Sequence, residues 1–265
     1  MRYCSLGSGS RGNATLIEYG TTRLLVDCGF SLRMTEQRLA QAGVSAHQLT
    51  AILVTHEHSD HIKGVERLAQ RYRLPVYMTA GTRQGMGASD LPVNLISFGE
   101  DIDIGDIRVT PVPVPHDARE PSQFIFDSGY HRLGVLTDIG TITPLITEMY
   151  SGLDALFLEA NYDPRMLASG PYPGFLKARV GGPLGHLSNQ QAAGLLESID
   201  ISNLKQVAIA HISEKNNRPE LAHDALSSVL EGWTGQLRLA VQNQGLPWQD
   251  IMETSQPQLA CIGTR

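Results

Sequence analysis

Six consecutive residues, His56-Glu57-His58-Ser59-Asp60-His61, carry three imidazoles and an aspartate. Imidazole nitrogen and carboxylate oxygen are ligands that zinc and manganese take. His56 and His58 stand at i and i+2, so in extended chain they leave on the same side. Asp60 and His61 fall where the chain should turn into a helix. These two directions of presentation suit two metal ions a few ångströms apart. Single exposed histidines are ordinary, but this density between an apolar run and a helix is not. One short segment cannot surround two ions, so further ligands are expected from other strand ends. His116, Asp138 and His211 each lie just past an apolar run. Alone, each reads as a loop residue; beside the cluster, each reads as a ligand. His47, His131 and His223 fit no such pattern and are expected at the surface.

The elements that must position these residues follow from periodicity. Residues 51–55 (Ala-Ile-Leu-Val-Thr) form a continuous apolar run, suited to a strand buried on both faces, and lead directly into His56. A helix is expected over 62–72, with Ile62, Val65, Leu68, Ala69 and Tyr72 on one face. The pattern also predicts a hairpin of 13–19 and 22–27 about Gly20, and a helix over 32–42 stopped by Gly43. Strands are expected at 76–79, 95–98, 106–114, 123–127 and 133–137. The second half predicts a strand at 155–158, a helix over 188–198 capped by Ser188, and a strand at 207–210. A helix over 219–230 opened by Pro219 and a strand at 237–241 follow. Strands that cluster and then alternate with helices, twice over, predict an α/β chain of two sheets packed face to face with helices outside. No repeat, low-complexity tract or polar linker divides it, so residues 1–265 read as a single domain.

Composition narrows the function classes. The chain has 265 residues, of which 42% are hydrophobic and 18% charged, and disorder is not expected. No apolar run approaches the ~20 residues that span a bilayer. The N-terminus lacks the apolar core of a signal peptide, so a cytoplasmic protein without membrane association is expected. Cys4, Cys28 and Cys261 are far apart and odd in number, which excludes a disulfide framework and a Cys-x-x-Cys zinc site. A net charge of −6 excludes a generally basic nucleic-acid coat. It does not exclude a nuclease, because metals in an acidic site can bind phosphates.

The pattern His-x-His-x-Asp-His, followed by a distant His, Asp and His at strand ends, resembles the metallo-β-lactamase superfamily. The resemblance runs from Asp27 to His211 in order, and it implies a four-layer αββα sandwich with two mixed sheets. It further implies that His56, His58 and His116 hold one divalent ion, Zn or Mn. Asp60, His61 and His211 would hold a second, with Asp138 bridging and Asp27 bracing the ligand loop.

Three more stretches choose a branch. Leu6-Gly7-Ser8-Gly9-Ser10-Arg11-Gly12-Asn13 is a glycine-rich turn whose N–H groups could converge on an anion, with Ser8, Ser10 and Asn13 as extra donors. Glu159 ends the strand 155–158. His186 opens Gly185-His186-Leu187-Ser188-Asn189, and a carboxylate there could hold a protonated imidazole toward a leaving group. These stretches, with His211-Ile212-Ser213 and Asn216-Asn217, are similar to the YycJ-type (WalJ) exonucleases and to RNase Z-like nucleases. Tyr162 departs from the histidine expected in that branch's Glu-x-Asn-His-Asp stretch.

The resemblance implies a dinuclear metal phosphodiesterase, a 5′-to-3′ exonuclease on DNA ahead of RNA, with a metal-bridging hydroxide as nucleophile. Asp60, Glu159 and His186 are its catalytic candidates. Ser8, Ser10, Asn13, Lys177, Arg179, Ser188 and Ser213 are its candidates for substrate contact. The alternative is a small-molecule hydrolase of the same fold, a glyoxalase II-like thioesterase or a cyclic phosphodiesterase. A scaffold with structural metals is a third class, disfavoured by a ligand set too large for a closed four-ligand site. Oligomeric state is open, a homodimer being one option.

Overall fold

Leu24 and Val26 leave their strand on one side and Leu25 on the other, yet all three are buried. The same holds for Leu156, Phe157 and Leu158. Strands apolar on both sides need a layer on each, and that requirement shapes this chain. The structure, a computed structural model, describes residues 1–251. Cys261 lies outside them.

The first sheet contains β1 (Arg2–Gly7), β2 (Ala14–Tyr19), β3 (Thr22–Val26), β4 (Ala51–Leu53), β5 (Val76–Thr79) and β6 (Asn94–Ile96) in spatial order. β1 to β3 pair antiparallel and β3 to β6 parallel. The second sheet runs in chain order from β7 (Ile102–Ile104) through β8 (Ile107–Pro113), β9 (Ser122–Asp127) and β10 (Arg132–Leu136). It continues through β11 (Ala155–Glu159) and β12 (Gln206–Ala210) to β13 (Gln236–Leu239). Its first four strands are antiparallel and its last four parallel. β14 (Leu246–Asp250) then returns to the first sheet beside β1. The two mixed sheets thus have the same plan.

Three apolar layers hold them. Between the sheets, Leu24, Val26 and Leu53 meet Phe124, Phe126, Val135 and Phe157. Outside the first sheet, Leu25 and Ile52 pack on Leu39 and Leu68 of the helices Leu32–Gln41 and Val65–Tyr72. Outside the second, Leu156 and Ile209 pack on Leu195 and Leu226 of the helices Asn189–Ser198 and Pro219–Ser228. Each fully buried side chain of this size contributes roughly 1.5–3 kcal/mol. The result is the expected αββα sandwich. Cys4 and Cys28 are buried and free. Among the described residues no helix is long and apolar enough to cross a membrane.

Some elements differ from expectation. The helix expected over 62–72 is two helices, Ser59–Ile62 and Val65–Tyr72. The break falls at Gly64, whose N–H donates to the Cys28 carbonyl at 2.7 Å. A Cβ at Gly64 would stand 2.3 Å from the Phe30 carbonyl oxygen, so the chain docks there instead of continuing the helix. β1, β7, β14 and the short helices Ala80–Gly85, Pro144–Met149 and Pro164–Ser169 were not expected. Runs of three to six residues are too short to show a period. The helices Pro144–Met149 and Pro164–Ser169 did carry a signal, Thr143 and Asp163 as N-caps before a proline.

Candidate active site

The parallel strands of both sheets point their C-terminal ends toward one gap, where α/β ligands collect. Asp27, Asp138 and His211 follow β3, β10 and β12 directly or by one residue, with φ of 60°, 53° and 51°. Left-handed backbone costs a side-chain-bearing residue roughly 1–3 kcal/mol, and surrounding bonds must impose it. Those bonds are present. Asp27 N–H donates to the Leu53 carbonyl at 2.8 Å. His211 N–H donates to Ser8 Oγ at 2.9 Å, and Asp138 N–H to Glu159 Oε2 at 2.9 Å. The strained turns aim three side chains into the gap.

Five histidines present one nitrogen there because the other is engaged behind it. His58 Nε2 donates to the Asp117 carbonyl at 3.2 Å, and His116 Nδ1 to the Gly185 carbonyl at 3.0 Å. His61 Nδ1 donates to Asp27 Oδ2 at 2.8 Å, and His211 Nδ1 to Glu159 Oε2 at 2.9 Å. Thr55 Oγ1 donates to Asp27 Oδ2 at 2.9 Å, so its lone pair accepts His56 Nδ1–H at 3.0 Å. Oriented this way, each ring turns a lone pair inward, as ligating histidines do.

Four overlapping groups of ligand atoms form among the described residues, His56, His61 and Asp138 and also Asp138, Glu159, His186 and His211 being two of them; the other two match the expected ion positions. His56, His58 and His116 bring ligand atoms within 4.8 Å of one another, and so do Asp60, His61 and His211. Asp138 lies between, with Oδ2 3.4 Å from His61 Nε2 and Oδ1 4.0 Å from His116 Nε2. Lone pairs of His56 Nε2 and His58 Nδ1 face each other at 3.0 Å, a repulsive contact that a cation removes. Asp138 Oδ2 and His211 Nε2 are buried without a hydrogen-bond partner. Orphaned buried polar atoms are costly in a folded chain, and here they mark a donor set that fits divalent cations.

The charges agree. Burial drives His56 well below the usual histidine range. Burial also opposes charge on His61, but the Asp138 and Asp27 carboxylates outweigh it and raise that ring. Burial would raise Asp138, yet the facing His211 and His61 hold it well below the carboxylate range.

Glu159 is fully buried and accepts four hydrogen bonds, from Asp138 N–H, Leu187 N–H, His211 Nδ1 and His186 Nδ1. Burial would raise it, but the His186 and His211 contacts draw it down to about 2. Conversely, burial opposes charge on His186, while the Glu159 carboxylate at 3.0 Å lifts it to about 9. The His186 side chain is one fifth exposed and lines a cleft of about 360 Å³ together with Asp60, Asp138, His211 and Arg179. Five of the seven expected ligands, His58, Asp60, His116, Asp138 and His211, line this cleft with His186; His56, His61 and Glu159 lie behind its wall in contact with them, and Asp27 stands behind His61.

The substrate-contact candidates separate. Ser10 and Arg179 line the cleft. Asn13 Nδ2 lies 3.0 Å from His61 Nε2 and 3.4 Å from Asp60 Oδ2. Ser8 braces His211 from behind. Lys177 Nζ donates to the Ala168 carbonyl at 2.6 Å, away from the cleft. Ser188 Oγ caps a helix and Ser213 Oγ accepts the Asn216 N–H at 3.2 Å, so neither side chain faces the cleft. The glycine-rich turn differs from expectation. Its Gly7, Gly9, Arg11, Gly12 and Asn13 N–H groups all donate within the protein, so they do not converge on an anion. The turn instead buttresses Ser8 and Asn13. Tyr162 is buried, its hydroxyl 3.5 Å from Gln191 Oε1, and does not line the cleft.

Four contributors were not anticipated. Asp117 lines the cleft, orients His58 through its carbonyl, and accepts Arg179 Nε on its carboxylate. Its place directly after His116 was the available signal. Thr55 links Asp27, His56 and His61. Gly29 and Gly140 allow close approach. A Cβ at Gly29 would stand 1.7 Å from the Asp60 carbonyl, and one at Gly140 2.5 Å from Gly185 N.

The family described as the Beta-lactamase superfamily domain matches residues 22–212, which contain every expected ligand. The exodeoxyribonuclease YycJ of Bacillus anthracis is 36% identical, covering 87% of this chain and 89% of its own. The chain belongs to the metallo-β-lactamase superfamily of hydrolases, in its YycJ/WalJ branch. The exodeoxyribonuclease WalJ of Streptococcus pneumoniae is 35% identical, over 84% of this chain and 85% of its own. The solved metallo-β-lactamase fold protein YhfI of Bacillus subtilis aligns over 94% of this chain and 99% of its own, with a TM-score of 0.71 and 16% identity. That likeness is one of fold.

Proposed function

We propose that this hydrolase is a dinuclear metal phosphodiesterase acting on nucleic acid, a DNA exonuclease of 5′-to-3′ polarity. Residues 1–265 serve it as one domain, since both sheets contribute to one site. The names of the YycJ and WalJ relatives support the substrate. The observation that carries the chemistry is His186. It is a cleft-facing imidazole whose Nδ1 is held by the buried Glu159 carboxylate, and the groups His56, His58, His116 and Asp60, His61, His211 are complete without it.

His56, His58 and His116 would hold one ion and Asp60, His61 and His211 the other, with Asp138 shared. Two zinc or manganese ions there would activate water and stabilise charge gathering on phosphorus. Asp60, in the cleft wall, accepts a hydrogen bond from the attacking water. The Glu159 carboxylate stabilises the proton on His186, which stays protonated at neutral pH, with Nδ1 on Glu159 and Nε2 left to donate to the departing oxygen. Arg179 binds a flanking phosphate in exchange for Asp117, with Ser10 and Asn13 as further polar contacts.

Replacing His186 by Ala tests this on two phosphodiesters. With an alkoxide leaving group, as in DNA, the rate should fall on the order of 10²–10⁴. With p-nitrophenolate, which leaves without a proton, it should fall far less. Equal losses on both, with metal content unchanged by elemental analysis, would remove the acid role. A glutathione thioester in parallel tests the small-molecule alternative.

A further inference from the structure

Phe175 is 77% exposed and Leu184 51%. Both belong to the segment 172–186, in which Tyr172, Leu176, Arg179 and His186 line the cleft. Scattered apolar side chains on a surface need no explanation, but a group around one opening does. The helix Gly174–Val180 has no buried residue, so no core contact calls for a phenylalanine in it. Phe175 and Arg179 are four residues apart on that helix, neighbours on one side. The helix therefore offers an aromatic face and a cation one turn apart, at the lip of the cleft.

We infer that this rim is a stacking platform for an unpaired base at the end of a nucleic-acid strand. The inference rests on the phosphodiesterase reading and adds to it a preference for single-stranded ends. A nucleotide carries an anionic phosphate and a flat π face close together, which matches Arg179 beside Phe175. A base within a duplex is already stacked on both faces, whereas an unpaired terminal base has a face to give. Aromatic stacking of this kind tolerates any sequence. Tyr172 and Leu176 add apolar surface to the cleft that His186 lines, so the base would be seated as its phosphate enters.

The test uses manganese-supplemented full-length protein and single-stranded oligodeoxynucleotides, one natural and one with abasic residues at its terminal positions. Phe175→Ala should raise KM for the natural strand roughly five- to one-hundred-fold, with kcat little changed. Phe175→Trp should restore KM. On the abasic strand, wild type and Phe175→Ala should behave alike, because the base that stacks is gone. An unchanged KM for Phe175→Ala, or an equal loss on the abasic strand, would overturn the platform while leaving the nuclease reading intact. Loss of self-association in Phe175→Ala, with KM unchanged, would assign the rim to a second copy of the chain. A wild-type protein that hydrolyses a small phosphodiester but no nucleic acid would overturn both readings.

Discussion

Each sheet places one buried carboxylate behind the ligands, and the two differ in reach. Asp27, from the first sheet, accepts Thr55 N–H, Thr55 Oγ1 and His61 Nδ1. All its partners lie in the stretch 55–61, which the chain already keeps together. Glu159, from the second, accepts from Asp138, His186, Leu187 and His211. These come from three separate segments of chain. A local brace tightens a loop, while a distributed one assembles a site. The side chains that Asp27 braces sit in one motif, whereas those that Glu159 braces need a hub.

Replacing the hub should therefore do the most damage. Glu159→Gln keeps the shape but exchanges one acceptor oxygen for a donor among four donors. Activity should fall at least as far as in His186→Ala, and on both leaving groups, because His186, His211 and the Asp138 N–H on Oε2 all lose an anionic acceptor and the new amide NH2 faces the Leu187 N–H. Metal affinity should weaken about tenfold to hundredfold, the usual loss when a ligand's supporting group is removed. Unchanged affinity in a metal titration, with the loss confined to alkoxide leaving groups, would reduce Glu159 to a partner of His186 alone.

Asp27→Asn should be milder and one-sided. His61 loses its anion directly, so affinity should weaken about tenfold to hundredfold at the position of Asp60, His61 and His211, and less at the other, whose His56 is reached only through Thr55. The other position should keep its ion, and the dependence on leaving group should remain. Equal weakening at both positions would erase the distinction between a local and a distributed brace.

That distinction also decides what the sequence could reveal. The segment 56–61 is readable because its ligands are contiguous and follow a buried strand. His116, Asp138 and His211 are readable because each ends an apolar run. Thr55 and Gly29 act through contacts between segments that no local pattern announces, and Asp117 is marked only by its place after His116. The sandwich follows from strands apolar on both sides, whereas β1 and β14 exist because neighbouring strands pair with them. The glycine-rich turn has the composition of an anion-binding loop, but hydrogen bonds to Gln242 and Asp60, distant in sequence, use its donors. Lys177 and Arg179 look equivalent two residues apart, and only helix geometry turns one into the cleft.

The hub also sets a pH dependence in metal-stripped protein. His186 titrates near 9 when folded, above its unfolded value of about 6.5. Its contribution is fully present below about pH 6.5 and is lost as pH rises through 9. Glu159 titrates near 2, below its ordinary 4.5, so its contribution is present above 4.5 and is lost as pH falls through 2. The urea midpoint in EDTA should fall on both flanks. His186→Gln should flatten the alkaline flank in part, since His61 is raised as well. An alkaline flank of full size in His186→Gln would separate the imidazole from the hub.

The smallest expected effect separates Arg179 from Lys177. Both stand on the helix Gly174–Val180 in an acidic protein, but their engagements differ. Arg179 is more than half exposed, lines the cleft, and among the described residues is ion-paired with Asp117 alone, which itself borders His58 and His116. An entering phosphate can take Arg179 from Asp117, exchanging one anion for another at little cost. Lys177 is tied to the Ala168 carbonyl and would have to leave it to reach the cleft. Each phosphate contact steepens the fall of log affinity with log salt by about 0.7 on a single strand. Arg179→Ala should therefore lower that slope by about this amount and weaken binding modestly at low salt. Lys177→Ala should leave the slope unchanged. The double variant should match Arg179→Ala alone, because only one of the two cations is counted. A slope reduced by Lys177→Ala as much as by Arg179→Ala would mean that the helix face meets the backbone as a whole. The second site half would then engage its substrate through a surface, with no single cation at the lip.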